Sequence, residues 1–165
     1  NSVGKDSWLA IETSGHAALR ENHFLDDGAY LITRILIKAA QLRLQGKSIH
    51  ALYQNLVHPA ESREFRIRMN TTDYKSLGNS VISDLVSFAG NIPGWTIVPE
   101  NYEGIRVSCN PESGNGWFLL RLSLHDPVMP LNIESNRIGG VAVIMDLLSG
   151  FFAGYPELAV GNSWQ

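Results

Sequence analysis

The stretch of sequence that decides the fold is residues 104–122, GIRVSCNPESGNGWFLLRL. Gly104 to Cys109 alternates apolar and polar side chains, and Trp117 to Leu122 is rich in aromatic and aliphatic ones, as β-strands are. Asn110 to Gly116 lies between them and is rich in Gly, Asn and Ser, the residues that form turns. The stretch therefore predicts two strands joined by a hairpin loop.

Further strands and helices are predicted on both sides of this hairpin. The strands are Glu64 to Met69, Trp95 to Val98, and Leu131 to Glu134 after Pro130; the helices run from Thr72 to Gly90 and from a cap at Ser135 or Asn136 to Leu148. This order predicts an α+β domain, with a mostly antiparallel sheet covered by helices on one face. Pro130 places its strand at an edge or at a strand start, because proline donates no ladder hydrogen bond. The tail from Gly154 onward has no periodicity and is expected to be irregular.

The first third of the chain has a different organisation. Trp8 to Ile11 predicts a buried strand, and Asp26-Asp27 precedes a helix that Gly46 ends. The apolar stripe of that helix is Leu31, Ile32, Ile35, Leu36, Ala39 and Leu42. A second short helix is expected from Ser48 to Leu56. Residues 1–58 are therefore interpreted as a strand-loop-helix remnant of an α/β domain, and residues 59–165 as a complete α+β domain.

Composition restricts the classes of function. The 165 residues carry a formal net charge of −3 and contain no basic block, which argues against nucleic-acid binding. No apolar run approaches the roughly 20 residues of a membrane helix. Cys109 is the single cysteine, so no disulfide forms within the chain, and it is expected in the core. The first residues resemble a cut end rather than a natural start or a targeting segment.

The first candidate site is the loop Glu12-Thr13-Ser14-Gly15-His16. A carboxylate and a hydroxyl can each hydrogen-bond a sugar hydroxyl, and an imidazole can meet a phosphate or move a proton. The alternative is a simple turn in which Glu12 caps backbone amides and His16 is merely exposed.

The second candidate site is the segment from Arg121 to Pro127. Strand alternation would place Arg121, Ser123 and His125 on one face, where an arginine fork, a hydroxyl and turn amides form a phosphate cradle. The alternative is a solvated edge strand in which Arg121 pairs with Asp126.

Other polar residues are weaker candidates. The five histidines lack zinc-ligand spacing. Asp26-Asp27 has the look of a metal pair, but its position before a helical stripe favours a helix cap.

The order of these motifs resembles the α-D-phosphohexomutase superfamily, which contains the phosphoglucomutases, phosphomannomutases and phosphoglucosamine mutases. The matching segments are Ile11 to His16, Arg20, Asp26-Asp27-Gly28, Glu103 to Arg106, Gly116-Trp117 and Arg121 to Pro127. The resemblance implies that the chain holds the end of the third, sugar-binding domain and the whole fourth, phosphate-binding domain. It implies sugar contacts from Glu12, Ser14, His16 and Arg20, and phosphate contacts from Arg121, Ser123 and the turn amides. Leu124-His125 departs from the family pattern, so His125 stands where a threonine donor is usual.

The resemblance also implies what lies elsewhere. The phosphoserine loop and the magnesium loop of such enzymes have no counterpart in these residues, so this chain alone is expected to be inactive and to bind no metal. The full-length protein is expected to be an isomerase that interconverts hexose 1- and 6-phosphates with magnesium, in the cytoplasm or the plastid stroma. Its partners are then a phosphosugar and its own upstream domains. The alternative is a non-catalytic binding or interaction module with a degenerate phosphate loop.

Overall fold

The computed structural model describes residues 6–11, 15–99, 101 and 103–159, which divide into one unit ending at Val57 and another beginning at His58. In the first unit, a hairpin pairs β1 (Leu9–Ile11) with β2 (Ala17–Leu19) in antiparallel register. The helix α1 (Gly28–Leu44) follows, and a 3-10 turn (Ile49–Leu52) stands where a second helix was predicted. That prediction was too long, because Ser48 makes no side-chain cap to stabilise a full helix.

Helix α1 begins and ends as the sequence predicts. The Asp27 carboxylate accepts a hydrogen bond from the Tyr30 amide at 3.0 Å, which holds the pKa of Asp27 below its usual value. Gly46 takes a left-handed conformation two residues after the helix ends. Leu42 is the one buried residue of this helix, and its other stripe positions are partly or fully exposed. The predicted buried strand β1 is exposed as well, whereas Ala17 and Leu19 of its partner β2 are buried.

The second unit is built on a six-stranded sheet in the order β4-β5-β6-β7-β3-β8, in which all neighbours are antiparallel. Its strands are β3 (Glu61–Met69), β4 (Trp95–Ile97), β5 (Ile105–Cys109), β6 (Gly116–Leu120), β7 (Val128–Ser135) and β8 (Leu158–Ala159). The helices are α2 (Tyr74–Ala89) and α3 (Gly140–Phe152). The predicted α+β class is confirmed.

Two strands differ from the sequence prediction. Strand β7 is central rather than at an edge, and Pro130 lies inside it. The Pro130 carbonyl accepts a hydrogen bond from the Arg121 amide, which lies just past the end of β6. The N–H that proline lacks would point to the same side as this carbonyl, so it would face a part of the chain that is no longer in β6. The tail is not wholly irregular either, because Leu158–Ala159 pairs with the end of β3.

The helix caps also differ from the prediction. Asp73, not Thr72, caps α2 by accepting from the Ser76 amide. Helix α3 begins at Gly140 and not after Ser135, whose buried hydroxyl donates to the Gly114 carbonyl at 2.7 Å. The Glu61 carboxylate instead accepts from the Gly139 and Val141 amides at 2.9 and 3.0 Å.

One face of the sheet makes the core with α2 and α3. Its alternate side chains, such as Ile105 and Val107 of β5 or Phe118 and Leu120 of β6, are buried. The other face is more exposed and carries most of the polar side chains of the strands, as strand alternation favours when one side of a sheet is covered. The second candidate site lies on this open face.

Candidate functional site

The sugar-type loop is partly described. Glu12 and Ser14 lie outside the described residues, so their predicted sugar contacts stay predictions. His16 is described, and its Nδ1 lies 2.7 Å from Asp26 Oδ2. An isolated antiparallel bridge between Ala18 and Asp26 brings this carboxylate back beside the loop. Both side chains are more than half exposed, at 64% and 58%.

The His16–Asp26 pair borders a small cleft. The cleft measures about 350 Å³ and is lined by Gly15, His16, Ala17, Asp26 and Gly28. Because Asp26 engages Nδ1, the other ring nitrogen of His16 is left to meet a hydroxyl or an anion. The sequence predicted His16 as a site residue and Asp26-Asp27 as a helix cap. In the structure the two carboxylates have different partners: Asp27 caps helix α1, and Asp26 contacts the His16 imidazole.

Arg20 has a different position from these residues. Its guanidinium contacts the Asp6 carboxylate and the Ser7 carbonyl. It is not among the residues that line the cleft. The predicted sugar contact of Arg20 therefore stays a prediction.

The phosphate-type loop is anchored by the sheet. The amide of Arg121 donates to the Pro130 carbonyl at 3.1 Å, and that of Ser123 donates to the Val128 carbonyl at 3.0 Å. These bonds continue the antiparallel ladder beyond the end of β6. Leu120 is buried and Leu122 packs against the core, so Arg121 and Ser123 project from the open face. The predicted alternation thus holds for these two residues.

His125 does not share that register. The ladder ends at Ser123, and residues 124–127 form the turn that returns the chain to β7. The Ser123 hydroxyl oxygen accepts from the Asp126 amide at 3.3 Å, which tightens the turn. Strand alternation therefore does not place His125 on the face of Arg121, and that part of the prediction was wrong.

The loop keeps its donors available for a ligand. Within the described part of the chain, the amides of Leu124 and His125 make no hydrogen bond, and Arg121 has no ion-pair partner. The alternative pairing of Arg121 with Asp126 is thus not formed. A guanidinium, a hydroxyl and two amides are the groups that bind a phosphate.

Other candidate chemistries are weak in the described residues. Burial raises the pKa of the Cys109 thiol to about 12, as befits a core residue and not a nucleophile. No three His, Cys, Asp or Glu side chains in residues 6–11, 15–99, 101 and 103–159 cluster as metal ligands, so no magnesium ligand is assigned. Across the same residues, no helix has the length and apolar character needed to cross a membrane.

A comparison with solved structures finds a relative in fold. The chain is similar to a phosphoglucomutase/phosphomannomutase family protein from Burkholderia thailandensis, with a TM-score of 0.64 and 25% sequence identity. The match covers 91% of this chain and 29% of that one. The chain thus spans less than a third of the length of that protein. Neither a protein-family model nor a curated protein sequence matches the chain.

This similarity supports the fold that the sequence motifs imply. The α+β unit with its six-stranded antiparallel sheet matches a phosphohexomutase C-terminal domain. The similarity is one of fold, at 25% sequence identity over 91% of this chain.

Proposed function

We propose that this chain is the substrate-binding C-terminal portion of a phosphosugar mutase that interconverts hexose 1-phosphate and hexose 6-phosphate. Residues 59–165 are its phosphate-binding domain, and the residues before them are the end of its sugar-binding domain. The transferring phosphoserine and the magnesium ligands belong to other segments of the full-length protein. This chain binds and orients the substrate.

The observation that carries the proposal is the loop after β6, on a fold shared with a phosphoglucomutase/phosphomannomutase family protein. Arg121, the Ser123 hydroxyl and the amides of Leu124 and His125 offer donors to the phosphate that is not transferred. Such charge-assisted bonds are the strong ones in anion recognition. They also tolerate a sugar bound in either orientation, because they read only the phosphate.

The first unit supplies the sugar-reading side of the proposal. His16, held by Asp26, presents one ring nitrogen beside the cleft. Glu12 and Ser14 precede it in the same loop and are proposed to read adjacent hydroxyls. A phosphosugar is therefore expected to bind more tightly than either free sugar or inorganic phosphate.

Calorimetric titration of the chain with glucose 6-phosphate, mannose 6-phosphate, glucose and inorganic phosphate tests this expectation. Arg121→Gln should weaken phosphosugar binding by about tenfold, the size of one hydrogen bond to a charged group. Arg63 is an exposed residue of β3 that strand alternation places on the opposite side of the sheet from Arg121. Arg63→Gln removes the same charge and should leave binding unchanged. In the full-length protein, Arg121→Gln should raise KM and lower kcat together.

One observation favours a non-catalytic binding module. Leu124 is 79% exposed at the tip of the loop, where an apolar side chain gives nothing to a phosphate. If no phosphosugar binds, or if Arg121→Gln changes neither binding nor turnover, the mutase proposal fails and the module is the better description.

A further inference from the structure

A second set of arginines lies on the open face beside the candidate phosphate loop. Arg66 and Arg68 are exposed on β3, whereas Ile67 and Met69 between and after them are buried in the core. The two arginines therefore point away from α2 and α3. They face the same side of the sheet as Arg121.

Strand register aligns these arginines with the loop. Arg66 lies opposite Pro130, and Arg68 lies opposite Val128. From the other side of β7, the amides of Arg121 and Ser123 donate to Pro130 and Val128 respectively. Two rows thus cross the sheet, one from Arg66 over Pro130 to Arg121, the other from Arg68 over Val128 to Ser123.

The spacing of these rows suits a phosphate. Adjacent strands are ~4.8 Å apart, so the backbones of Arg66 and Arg121 are separated by about 10 Å across β7. Two arginine side chains can close that distance over an ion placed between them. Pro130 is buried and Val128 half-buried, and they form an apolar floor without competing charges.

The positive charge of the arginines in these two rows is poorly compensated. Arg66 Nε is 4.0 Å from Glu64 Oε1, and both side chains are largely exposed. Glu64 also accepts a hydrogen bond from the side-chain Nδ2 of Asn132, in the neighbouring row of the sheet. Among the described residues, Arg68 and Arg121 form no ion pair. Three neighbouring guanidinium groups repel one another, and a bound dianion removes that repulsion.

We propose that Arg66 and Arg68 form the second wall of the phosphate site, opposite Arg121 and Ser123. The phosphate group of the substrate, a phosphate monoester dianion, sits over Val128 and Pro130 and is bonded from both walls. This inference rests on the proposed function, because the phosphate is that of the phosphosugar. It adds a wall that comes from a strand more than fifty residues before the loop.

The test is a calorimetric titration of the whole chain with inorganic phosphate and with glucose 6-phosphate at low ionic strength. Arg66→Gln and Arg68→Gln should each weaken binding of both ligands by roughly fivefold, as expected for an exposed charge-assisted hydrogen bond. Arg63→Gln on the same strand should have no effect. Melting temperatures should not fall in Arg63→Gln, Arg66→Gln or Arg68→Gln, since each replaced side chain is exposed.

The outcomes separate the two proposals. If Arg121→Gln weakens phosphate binding and Arg66→Gln and Arg68→Gln do not, the second wall is refuted and the mutase proposal stands. If inorganic phosphate does not bind the wild-type chain, the second wall is also refuted. If Arg121→Gln, Arg66→Gln and Arg68→Gln all weaken phosphate binding but glucose 6-phosphate binds no tighter than phosphate, the second wall stands and the sugar-phosphate proposal loses its support.

Discussion

Gly104→Ala should destabilise the second unit strongly and also disturb the phosphate loop. Gly104 has φ +80°, and a Cβ built on it would lie 2.0 Å from the Leu120 carbonyl oxygen and 2.8 Å from the Arg121 Cα. A left-handed alanine costs about 1–2 kcal/mol, and forced packing adds about 1–3 kcal/mol. The expected loss of unfolding free energy is therefore about 2–5 kcal/mol.

Two other glycines separate the terms of this sum. Gly139 has φ +79° with no atom near its absent Cβ, so Gly139→Ala should cost only the conformational part, about 1–2 kcal/mol. Gly150 lies inside α3, has no positive φ and also has open space, so Gly150→Ala should stabilise by about 0.5–1 kcal/mol.

Urea denaturation, followed by circular dichroism and fluorescence, measures all three variants. The denaturation midpoints should rank Gly150→Ala above wild type, then Gly139→Ala, then Gly104→Ala, with similar m-values. Gly104→Ala alone should also weaken phosphate binding, because the backbone of Arg121 has to move. Equal destabilisation by Gly104→Ala and Gly139→Ala would refute the argument from close approach.

Three further predictions concern single groups. Hydrogen bonds from Gly139 and Val141 lower the pKa of Glu61 from its usual 4.5, so its contribution to stability is complete above about that pH and is lost as the pH falls further. Glu61→Gln should lower the melting temperature at pH 7 and shrink the difference from wild type near pH 3; an equal difference at both pH values would contradict this. Cys109 should resist iodoacetamide at pH 8 in the folded chain and react readily in urea, as mass spectrometry would show, whereas equal labelling would contradict its burial. Asp26→Asn should weaken glucose 6-phosphate binding by roughly two- to tenfold and leave inorganic phosphate binding unchanged, because it loosens His16 alone; a change in phosphate affinity would argue against that role.

Much of the fold was predictable because its strands, helices and turns depend on residues that are close together in the sequence. The hairpin in residues 104–122 and the helices α2 and α3 follow from alternation, helical periodicity and turn residues. The errors have non-local causes. The start of α3 is set by Glu61, which lies 78 residues before Gly139, and the central place of Pro130 depends on where β6 stops.

The candidate site was predictable to the same degree. Arg121 and Ser123 could be placed by alternation because the ladder continues through them. His125 could not, because nothing in the sequence shows at which residue the ladder ends. The sequence predicted Arg66 and Arg68 only as polar positions of a half-exposed strand. Their proximity to Arg121 could not be predicted, because it depends on the strand register across β7.

The two ladder bonds at Pro130 and Val128 have a consequence for how this loop can change. They fasten the chain on the near side of the turn, whereas the amides of Leu124 and His125 bond to nothing in the described residues. The tip of the loop is thus held in place by these two bonds and, in the part of the chain that the structure describes, makes no backbone bond of its own at residues 124 and 125. Substitutions at 124 and 125 should therefore change only the groups that the tip offers to a ligand and leave the sheet beneath them unaltered.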